Sequence, residues 1–349
     1  MSNFEEEIKE QPGALQRFLN SISSLRKTLL RIASFHPIRI AFFGMGSSLY
    51  ATIPAVYLLR SAGISANYYD ASEALWYIPQ KWFDNIDMCV FVSQSGETIE
   101  IRKLLDKIRN SKVLKVGITA NTKSYVANNC DEVIDIFTGK ERALGSTKTH
   151  MNSVVASLVL SMFLANSEGQ VKHLMKLPSI VNDSILRASS TVEDLFKKID
   201  VNKFNDSVIT SRGFLLGEVY QSALTLNEIS RVSALAISTG MLKHGPMEIF
   251  SERRGITCFV PSSSVRTLLI KFCQSIVSHV DFIWIMSNGA LDIELSPHLF
   301  KVETNFDLPE YLQGLIFLPY IQILAYRIRK MKNLEDDEFY FIKKVTTEE

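Results

Sequence analysis

The stretch Val90–Glu100, VFVSQSGETIE, decides the fold of this chain. Its apolar, β-branched start predicts a short buried strand, and the apolar spacing of Ile99, Leu104 and Leu105 predicts a helix. The turn between them is rich in small polar residues and consists of Ser93, Gln94, Ser95, Gly96, Glu97 and Thr98. A buried strand that passes through a short turn into an amphipathic helix is typical of α/β proteins with parallel sheets.

The hydroxyl groups of this turn indicate an anion site. The first N–H groups of a helix lack intrahelical acceptors, and the helix dipole places positive charge at the same end. Ser93, Ser95 and Thr98 can add side-chain donors there. The alternative is a turn whose hydroxyls only cap the helix. Small polar residues fill most of the turn, which is more than a cap requires, so we favour a phosphate site.

The strand–turn–helix pattern recurs along the first half of the chain. Strands are predicted at residues 38–43, 66–69, 88–92, 114–119 and 133–136. The first of these strands ends in GMGSS, Gly44–Ser48. Two polar turns therefore lie at the carboxyl ends of parallel strands, where open α/β sheets bind ligands.

From residue 205 the same pattern starts again. Residues 208–216 are expected to form a strand followed by a turn, and further strands are expected at residues 235–237, 256–260 and 282–286. The predicted fold class is therefore α/β, with two tandem domains that each contain a mainly parallel sheet flanked by helices.

We place the domain boundaries where the pattern changes. Residues 1–34 form an N-terminal helical segment, which Pro12 is expected to break. The first domain is assigned to residues 35–170, a helical connector to 171–204, the second domain to 205–332 and a C-terminal tail to 333–349. Helices are expected at residues 151–165, where Ser146 can cap the start, and at residues 221–233. A third helical stretch, 311–331, is expected to kink or restart at Pro319.

The composition is that of a soluble globular protein. The 349 residues are 46% hydrophobic and 21% charged, and the formal net charge of +1 gives no reason to expect nucleic acid or a membrane as partner. The longest apolar runs are shorter than a membrane span. The four cysteines are widely spaced and the N-terminus is not a secretory signal, so we expect a cytoplasmic protein without disulfides or a metal site.

Two residues of the second half are candidates for proton transfer. Glu228 lies in an otherwise uncharged helical stretch, and burial there would raise the pKa of its carboxyl and make it a general base. The alternative is a solvated glutamate on a helix face. His244 lies in the loop Lys243–Pro246, which glycine and proline shape tightly, and it is either a proton shuttle or a histidine bonded to backbone.

Seven short motifs together resemble the sugar isomerase (SIS) domain family. They are EQPGAL (10–15), GMGSS (44–48), ASE (71–73), SQSGET (93–98), GSTK (145–148), NEIS (227–230) and LKHGP (242–246). The resemblance covers nearly the whole chain in the same order. The chain most resembles the isomerase half of glutamine–fructose-6-phosphate amidotransferase and its stand-alone relatives, which include glucosamine-6-phosphate deaminases and fructosamine-6-phosphate deglycases.

The resemblance implies a role for each matching residue. It places the sugar phosphate on Ser93, Gln94, Ser95 and Thr98, and the sugar beside Gly46, Ser47, Ser48 and Ser146. Glu228 matches the base that moves a proton between C1 and C2. His244 matches the residue that opens the sugar ring, which is contributed across a dimer interface in the synthase. Lys343 resembles a lysine of the C-terminal tail that covers the site.

The chain departs from the synthase in three respects. It carries no glutaminase domain with a starting cysteine, so it is not expected to release ammonia from glutamine. Thr225 and Asn227 stand where the synthase has lysines near its base, and one of those lysines is proposed to assist the amine chemistry. The tail also lacks the PRNL motif of the synthase.

These features leave several functions open. The favoured one is release of an amine: deamination of glucosamine 6-phosphate to fructose 6-phosphate, or alternatively cleavage of a fructosamine 6-phosphate by a deglycase. A plain aldose–ketose isomerase and a phosphosugar sensor without catalysis are the further alternatives.

The proposed chemistry needs a base and an acid, so no cofactor is expected. The resemblance implies a homodimer with shared active sites. The stretch 312–324 offers apolar surface for such an interface, although burial in the core would explain the same pattern.

Overall fold

The computed structural model describes residues 2–294, 296–335 and 340–341. These residues form two compact units, which we call the N-terminal unit (residues 10–178) and the C-terminal unit (residues 2–9 and 179–335). Each unit contains one sheet of five strands, and every strand pairing is parallel. The predicted fold class, α/β with two tandem domains that each contain a mainly parallel sheet flanked by helices, is confirmed.

In the N-terminal unit, helix α1 is followed by five strands and seven further helices. In chain order they are α1 (Asn3–Ala33), β1 (Arg39–Gly44), α2 (Ser47–Tyr50), α3 (Ile53–Ser61), β2 (Ser65–Asp70), α4 (Ala71–Tyr77), β3 (Met88–Val92), α5 (Ile99–Lys107), β4 (Leu114–Thr119), α6 (Tyr125–Asn129), β5 (Glu132–Asp135), α7 (Lys148–Leu164) and α8 (Val171–Leu174). The strand order is β2-β1-β3-β4-β5. This order has its topological switch point between β1 and β3, where the connections leave toward opposite edges of the sheet.

The C-terminal unit repeats this topology. Its elements are α9 (Leu177–Phe196), β6 (Asp206–Ser211), α10 (Leu216–Ser230), β7 (Ser233–Ser238), α11 (Thr239–Leu242), β8 (Gly255–Val260), α12 (Arg266–Ile276), β9 (Phe282–Asn288), β10 (Leu299–Thr304), α13 (Glu310–Gln313) and α14 (Leu318–Met331). The strand order β10-β9-β8-β6-β7 places the switch point between β6 and β8.

Apolar strands at the centre of each sheet position the polar turns. Strands β3 and β8 are buried along their whole length, as expected for strands covered on both faces. In the N-terminal unit, Phe43 and Phe91 stack with ring centroids 5.5 Å apart. Helix α5 packs Leu104 and Leu105 into the same core cluster. The strand ends that carry the polar turns are therefore anchored in a packed core.

The expected break at Pro12 is wrong, because helix α1 runs through this residue. Proline inside a helix removes one backbone hydrogen bond and costs about 3 kcal/mol. Three apolar side chains that come after Pro12 in this helix are fully buried: Ala14, Leu15 and Phe18. Burial of side chains such as Leu15 and Phe18 contributes roughly 1.5–3 kcal/mol each, which is enough to offset the lost bond.

Two elements of the C-terminal unit differ from the sequence prediction. Helix α10 begins at Leu216, earlier than the expected residue 221, after a single 3-10 turn at Gly213–Leu215. Strand β10 was not predicted, although Lys301, Val302 and Glu303 alternate between exposed and buried positions as a half-buried strand does. The expected restart of the last helix at Pro319 is confirmed, since Pro319 lies in the first turn of α14.

The stretch 312–324 supplies core and not free surface. Its large apolar side chains are buried, among them Leu312, Leu315, Phe317, Ile321 and Leu324. No helix in the described part of the chain is long and apolar enough to cross a membrane.

Candidate active site

The turn after β3 holds its hydroxyl groups against each other. Ser93 is 2% exposed, and its Oγ lies 2.8 Å from Oγ1 of Thr98. Thr98 is the N-cap of α5 but makes no side-chain hydrogen bond to the helix backbone. The alternative that these hydroxyls serve as an ordinary cap therefore does not describe this turn. Only one proton is needed between the two oxygens, so the second O–H can donate to a bound oxyanion.

Two backbone N–H groups of this turn donate to the side chains of its serines. Gly96 N donates to Ser93 Oγ at 3.1 Å, and Glu97 N donates to Ser95 Oγ at 3.1 Å. Gln94, Ser95 and Thr98 are partly buried. The turn precedes the first residue of α5, where helical N–H groups have no acceptor within the helix. Because the N–H groups of Gly96 and Glu97 are taken by serine oxygens, the backbone donors expected for an anion are those of the first turn of α5.

A second loop fixes the backbone of this turn from behind. Ala120 N and Thr119 Oγ1 donate to Gln94 O at 3.1 and 3.3 Å, and Asn121 Nδ2 donates to Ser95 O at 3.4 Å. Because the carbonyl groups are engaged here, they cannot turn toward a bound anion. The loop after β4 thus keeps the turn in the conformation that presents N–H and O–H groups.

The GMGSS loop follows β1, the strand next to β3. Gly46 has φ of +49° and forms the N-cap of α2, so glycine suits this left-handed position. Ser47 and Ser48 open α2 and are partly buried. Since β1 and β3 are paired in parallel, the two polar turns end at the same edge of the N-terminal sheet.

Ser146 does not cap α7, which corrects the sequence expectation. Helix α7 begins at Lys148 after Thr147, and Ser146 Oγ instead lies 2.8 Å from Oγ1 of Thr149. The buried carboxylate of Glu141 takes the capping role, because it accepts hydrogen bonds from Thr147 N at 2.9 Å and from Thr149 N at 3.2 Å. A carboxylate is favoured over a hydroxyl there by the helix dipole.

Glu228 lies in the last turn of α10 and is partly buried. The two positions where the synthase has lysines carry structural bonds instead. Thr225 is buried, and its hydroxyl accepts from Gln221 Nε2 at 3.2 Å. The side-chain amide of Asn227 donates to Ala234 O and accepts from Ala234 N. The end of α10 is thereby fixed to β7 without a cation contributed by these two positions.

His244 is exposed in the loop after α11. The backbone N–H of His244 donates to Met241 O at 3.0 Å. Gly245 follows with a φ of +123°, which only glycine adopts easily. Helices α10 and α11 both pack against β7, an edge strand of the described C-terminal sheet. Helix α10, which carries Glu228, and helix α11, which precedes the loop of His244, therefore pack against the same strand.

Lys343, the third candidate for catalysis, lies outside the described residues. Among the residues that are described, no group of three or more histidine, cysteine, aspartate or glutamate side chains could hold a metal ion. All four cysteines are free thiols.

The most strongly perturbed carboxyl of α10 is Glu218, which the sequence reading missed. Its side chain is 1% exposed, and burial raises the pKa of its carboxyl to about 8. None of the described residues shares a hydrogen bond with its Oε1. The only signal in the sequence is a lone charge in the apolar stretch FLLGEVY, most of which precedes the helix predicted from residue 221.

A family model matches most of the N-terminal unit. Residues 35–167 match the model of the SIS domain. The chain is 24% identical over 337 residues to glutamine–fructose-6-phosphate aminotransferase [isomerizing] of Pyrococcus horikoshii, an alignment that covers 95% of this chain and 55% of the relative. The chain spans about half the length of the curated relatives it matches. The resemblance drawn from the seven motifs is confirmed.

Solved structures with the same fold cover the whole chain. The C-terminal domain of glucosamine-fructose-6-phosphate aminotransferase from Francisella tularensis superposes with a TM-score of 0.83 at 20% identity, covering 96% of this chain and 98% of that one. Glucosamine-6-phosphate deaminase from Thermotoga maritima superposes with a TM-score of 0.75 at 18% identity, covering 99% of both chains. At such identities the likeness establishes the shared fold.

Proposed function

We propose, on the premise that residues 35–167 of this chain are a SIS domain, that the protein is a phosphosugar isomerase and deaminase. Its substrate is glucosamine 6-phosphate, and its products are fructose 6-phosphate and ammonia. One observation carries the proposal: Ser93 and Thr98 direct their hydroxyls at each other across a turn whose backbone carbonyls are engaged elsewhere. That geometry suits a phosphate group and serves no capping role.

The proposed reaction needs only proton transfers and water. His244 assists ring opening by moving a proton between the C1 hydroxyl and the ring oxygen, which yields the open-chain aldehyde. Glu228 removes the proton from C2 and returns it to C1, while the C1 carbonyl oxygen gains the proton that the amine gives up, so C1 becomes a hydroxymethyl group and C2 an imine. Water adds to that imine, and ammonia leaves. Ser47, Ser48 and Ser146 are proposed to hold the sugar hydroxyls.

The amine-releasing direction is supported by two positions near the base. Thr225 and Asn227 replace the lysines of the synthase and form bonds within the C-terminal unit. A site without these cations has less means of assisting amine transfer from ammonia. The same absence is compatible with a bulkier amine, so a fructosamine-6-phosphate deglycase is the second candidate.

The deciding experiment supplies glucosamine 6-phosphate and a fructosamine 6-phosphate in parallel. Ammonia with fructose 6-phosphate from the first substrate supports the deaminase. Glucose 6-phosphate with a free amino acid from the second identifies a deglycase. Turnover of neither substrate, together with intact binding of fructose 6-phosphate, contradicts the enzyme proposal and favours a sensor.

The variant Glu228→Gln tests the proposed base directly. It is expected to lose turnover by about a thousandfold and to keep phosphosugar binding, because general base catalysis contributes roughly 10²–10⁴-fold. Glu252→Gln, at an exposed position of the C-terminal unit, is the matched control and keeps wild-type turnover. Unchanged turnover in Glu228→Gln would rule out this role.

We further propose a homodimer and a cytoplasmic location. Free thiols at Cys89, Cys130, Cys258 and Cys273 suit a reducing compartment. Sedimentation equilibrium across a concentration series tests the dimer, and a monomer mass at all concentrations would contradict it.

A further inference from the structure

His150 connects two segments of the proposed sugar site. It lies in the first turn of α7, is 2% exposed, and its Nδ1 is 3.1 Å from the backbone oxygen of Ser47. A carbonyl oxygen can only accept, so Nδ1 carries the proton. Burial lowers the pKa of the imidazole to about 4, which keeps the ring neutral in ordinary buffers.

The fixed tautomer leaves the other ring nitrogen as an acceptor. Nε2 is buried, and none of the described residues shares a hydrogen bond with it. A buried polar atom without a partner destabilises the folded state. An apolar ring would avoid this cost in a helix whose residues are buried all round. The histidine differs from an apolar ring in that it forms the hydrogen bond to Ser47.

The helix end that carries His150 is itself held firmly. Glu141 accepts hydrogen bonds from the backbone N–H of Thr147 and Thr149, and Thr149 Oγ1 donates to its second oxygen. Lys148, which is 3% exposed, donates to Lys140 O at 2.9 Å. The first turn of α7 is therefore a rigid support, and His150 transmits its position to the GMGSS loop.

We propose that His150 is a positioning residue that sets the GMGSS loop for the sugar, so that the site distinguishes a hexose phosphate from inorganic phosphate. The inference rests on the proposed function, because Ser47 and Ser48 are its sugar-binding hydroxyls. The side chain of His150 bonds to Ser47, on the GMGSS loop and not on the turn Ser93–Thr98, so the phosphate part of the site is expected to work without it.

Two substitutions separate the hydrogen bond from packing. His150→Phe fills the ring volume and lacks the donor, whereas His150→Asn keeps a donor at the place of Nδ1 and leaves space. Calorimetric titration compares fructose 6-phosphate with inorganic phosphate. We expect His150→Phe to weaken fructose 6-phosphate binding about tenfold, the equivalent of one net hydrogen bond. Inorganic phosphate binding is expected to stay unchanged, and His150→Asn to retain the sugar preference.

Two results would overturn the inference that His150 positions the GMGSS loop. Wild-type sugar preference in His150→Phe, or equal loss of both ligands in both variants, would show that His150 only packs. A wild-type protein that binds neither ligand better than a phosphate-free control would instead refute the proposed function.

A measurement on the unsubstituted chain serves if His150→Phe does not fold. Nitrogen NMR of imidazole-labelled protein is expected to show the Nδ1–H tautomer of His150, with a shift on adding fructose 6-phosphate and none with inorganic phosphate. An Nε2–H tautomer, or equal shifts with both ligands, contradicts the positioning role.

Discussion

Gly96 lies so close to Ser124 that a Cβ atom on the glycine would be 1.9 Å from the serine Oγ. Gly96 also has φ of +67°, and its carbonyl accepts from Val126 N at 3.1 Å. Ser124 in turn caps α6 by accepting from Ala127 N. The glycine of the phosphate turn is therefore required for close packing as well as for its backbone conformation.

Gly96→Ala is expected to destabilise the protein and to weaken phosphate binding. The clash with Ser124 involves the Cβ atom as well as the hydroxyl, at 2.4 Å, so the turn must move. Thermal unfolding and calorimetric titration with fructose 6-phosphate measure the two effects. Gly139→Ala is the matched control, because Gly139 has a similar φ of +69° and nothing within 4 Å of its ideal Cβ. Left-handed strain of about 1–2 kcal/mol is common to both variants.

The double variant Gly96→Ala with Ser124→Gly tests the packing argument further. Removal of the serine side chain relieves the clash, so part of the lost binding is expected to return, although the α6 cap is lost. If Gly96→Ala unfolds at the same temperature as Gly139→Ala, the close contact is not what selects glycine.

Thr98→Val is expected to weaken phosphosugar binding with little change in stability. Valine keeps the shape of threonine but removes the hydroxyl that pairs with Ser93 Oγ at 2.8 Å. Loss of one hydrogen bond to a charged phosphate corresponds to about 1.5–3 kcal/mol, or roughly ten- to a hundredfold in affinity. Binding of inorganic phosphate falls in parallel.

Thr191→Val provides the same chemical change elsewhere. The Thr191 hydroxyl donates to Arg187 O within helix α9, and Thr191 is not among the proposed ligand-binding residues. Its phosphosugar affinity is expected to equal that of the wild type. Equal affinities for Thr98→Val and Thr191→Val would remove Thr98 from the phosphate site.

Glu218→Gln is expected to stabilise the protein increasingly as the pH rises from about 5 to 8. The folded-state pKa of Glu218, raised to about 8, lies above its ordinary value of 4.5. Between these values the unfolded chain releases the proton and the folded chain retains it, so wild-type stability falls by about 1.4 kcal/mol per pH unit. Below pH 4.5 the effect is absent, and above pH 8 the loss is constant.

Urea unfolding at pH 5, 6.5 and 8 measures this difference. Glu248→Gln, at an exposed position of the same unit, is expected to follow the wild-type curve. Gly314 packs against the carboxylate of Glu218, since a Cβ there would lie 2.6 Å from Oε2. A constant difference between Glu218→Gln and the wild type across the three pH values would show that the carboxyl is ionised in the folded protein.

Local sequence was sufficient to predict most of the fold. Strands β3 and β4 were predicted to the residue, because β3 is a continuous apolar run and β4 is a mainly apolar one, each bounded by turn residues. The strand β10 has weaker alternation and lies on a sheet edge of the described residues, so its pairing with β9 decides its conformation. Helix α1 likewise continues past Pro12 because burial outweighs the local penalty.

By itself, the sequence determined the α/β class, the repeated halves and the edge of the sheet where the polar turns gather, since these follow from periodicity and strand order. Only the tertiary structure decided what the polar side chains do there. Ser93 and Thr98 pair with each other, Glu141 caps α7 in place of Ser146, and His150 bonds to Ser47. Hydrogen bonds and pKa shifts depend on which distant groups meet out of contact with water, and a linear pattern of residues does not contain that information.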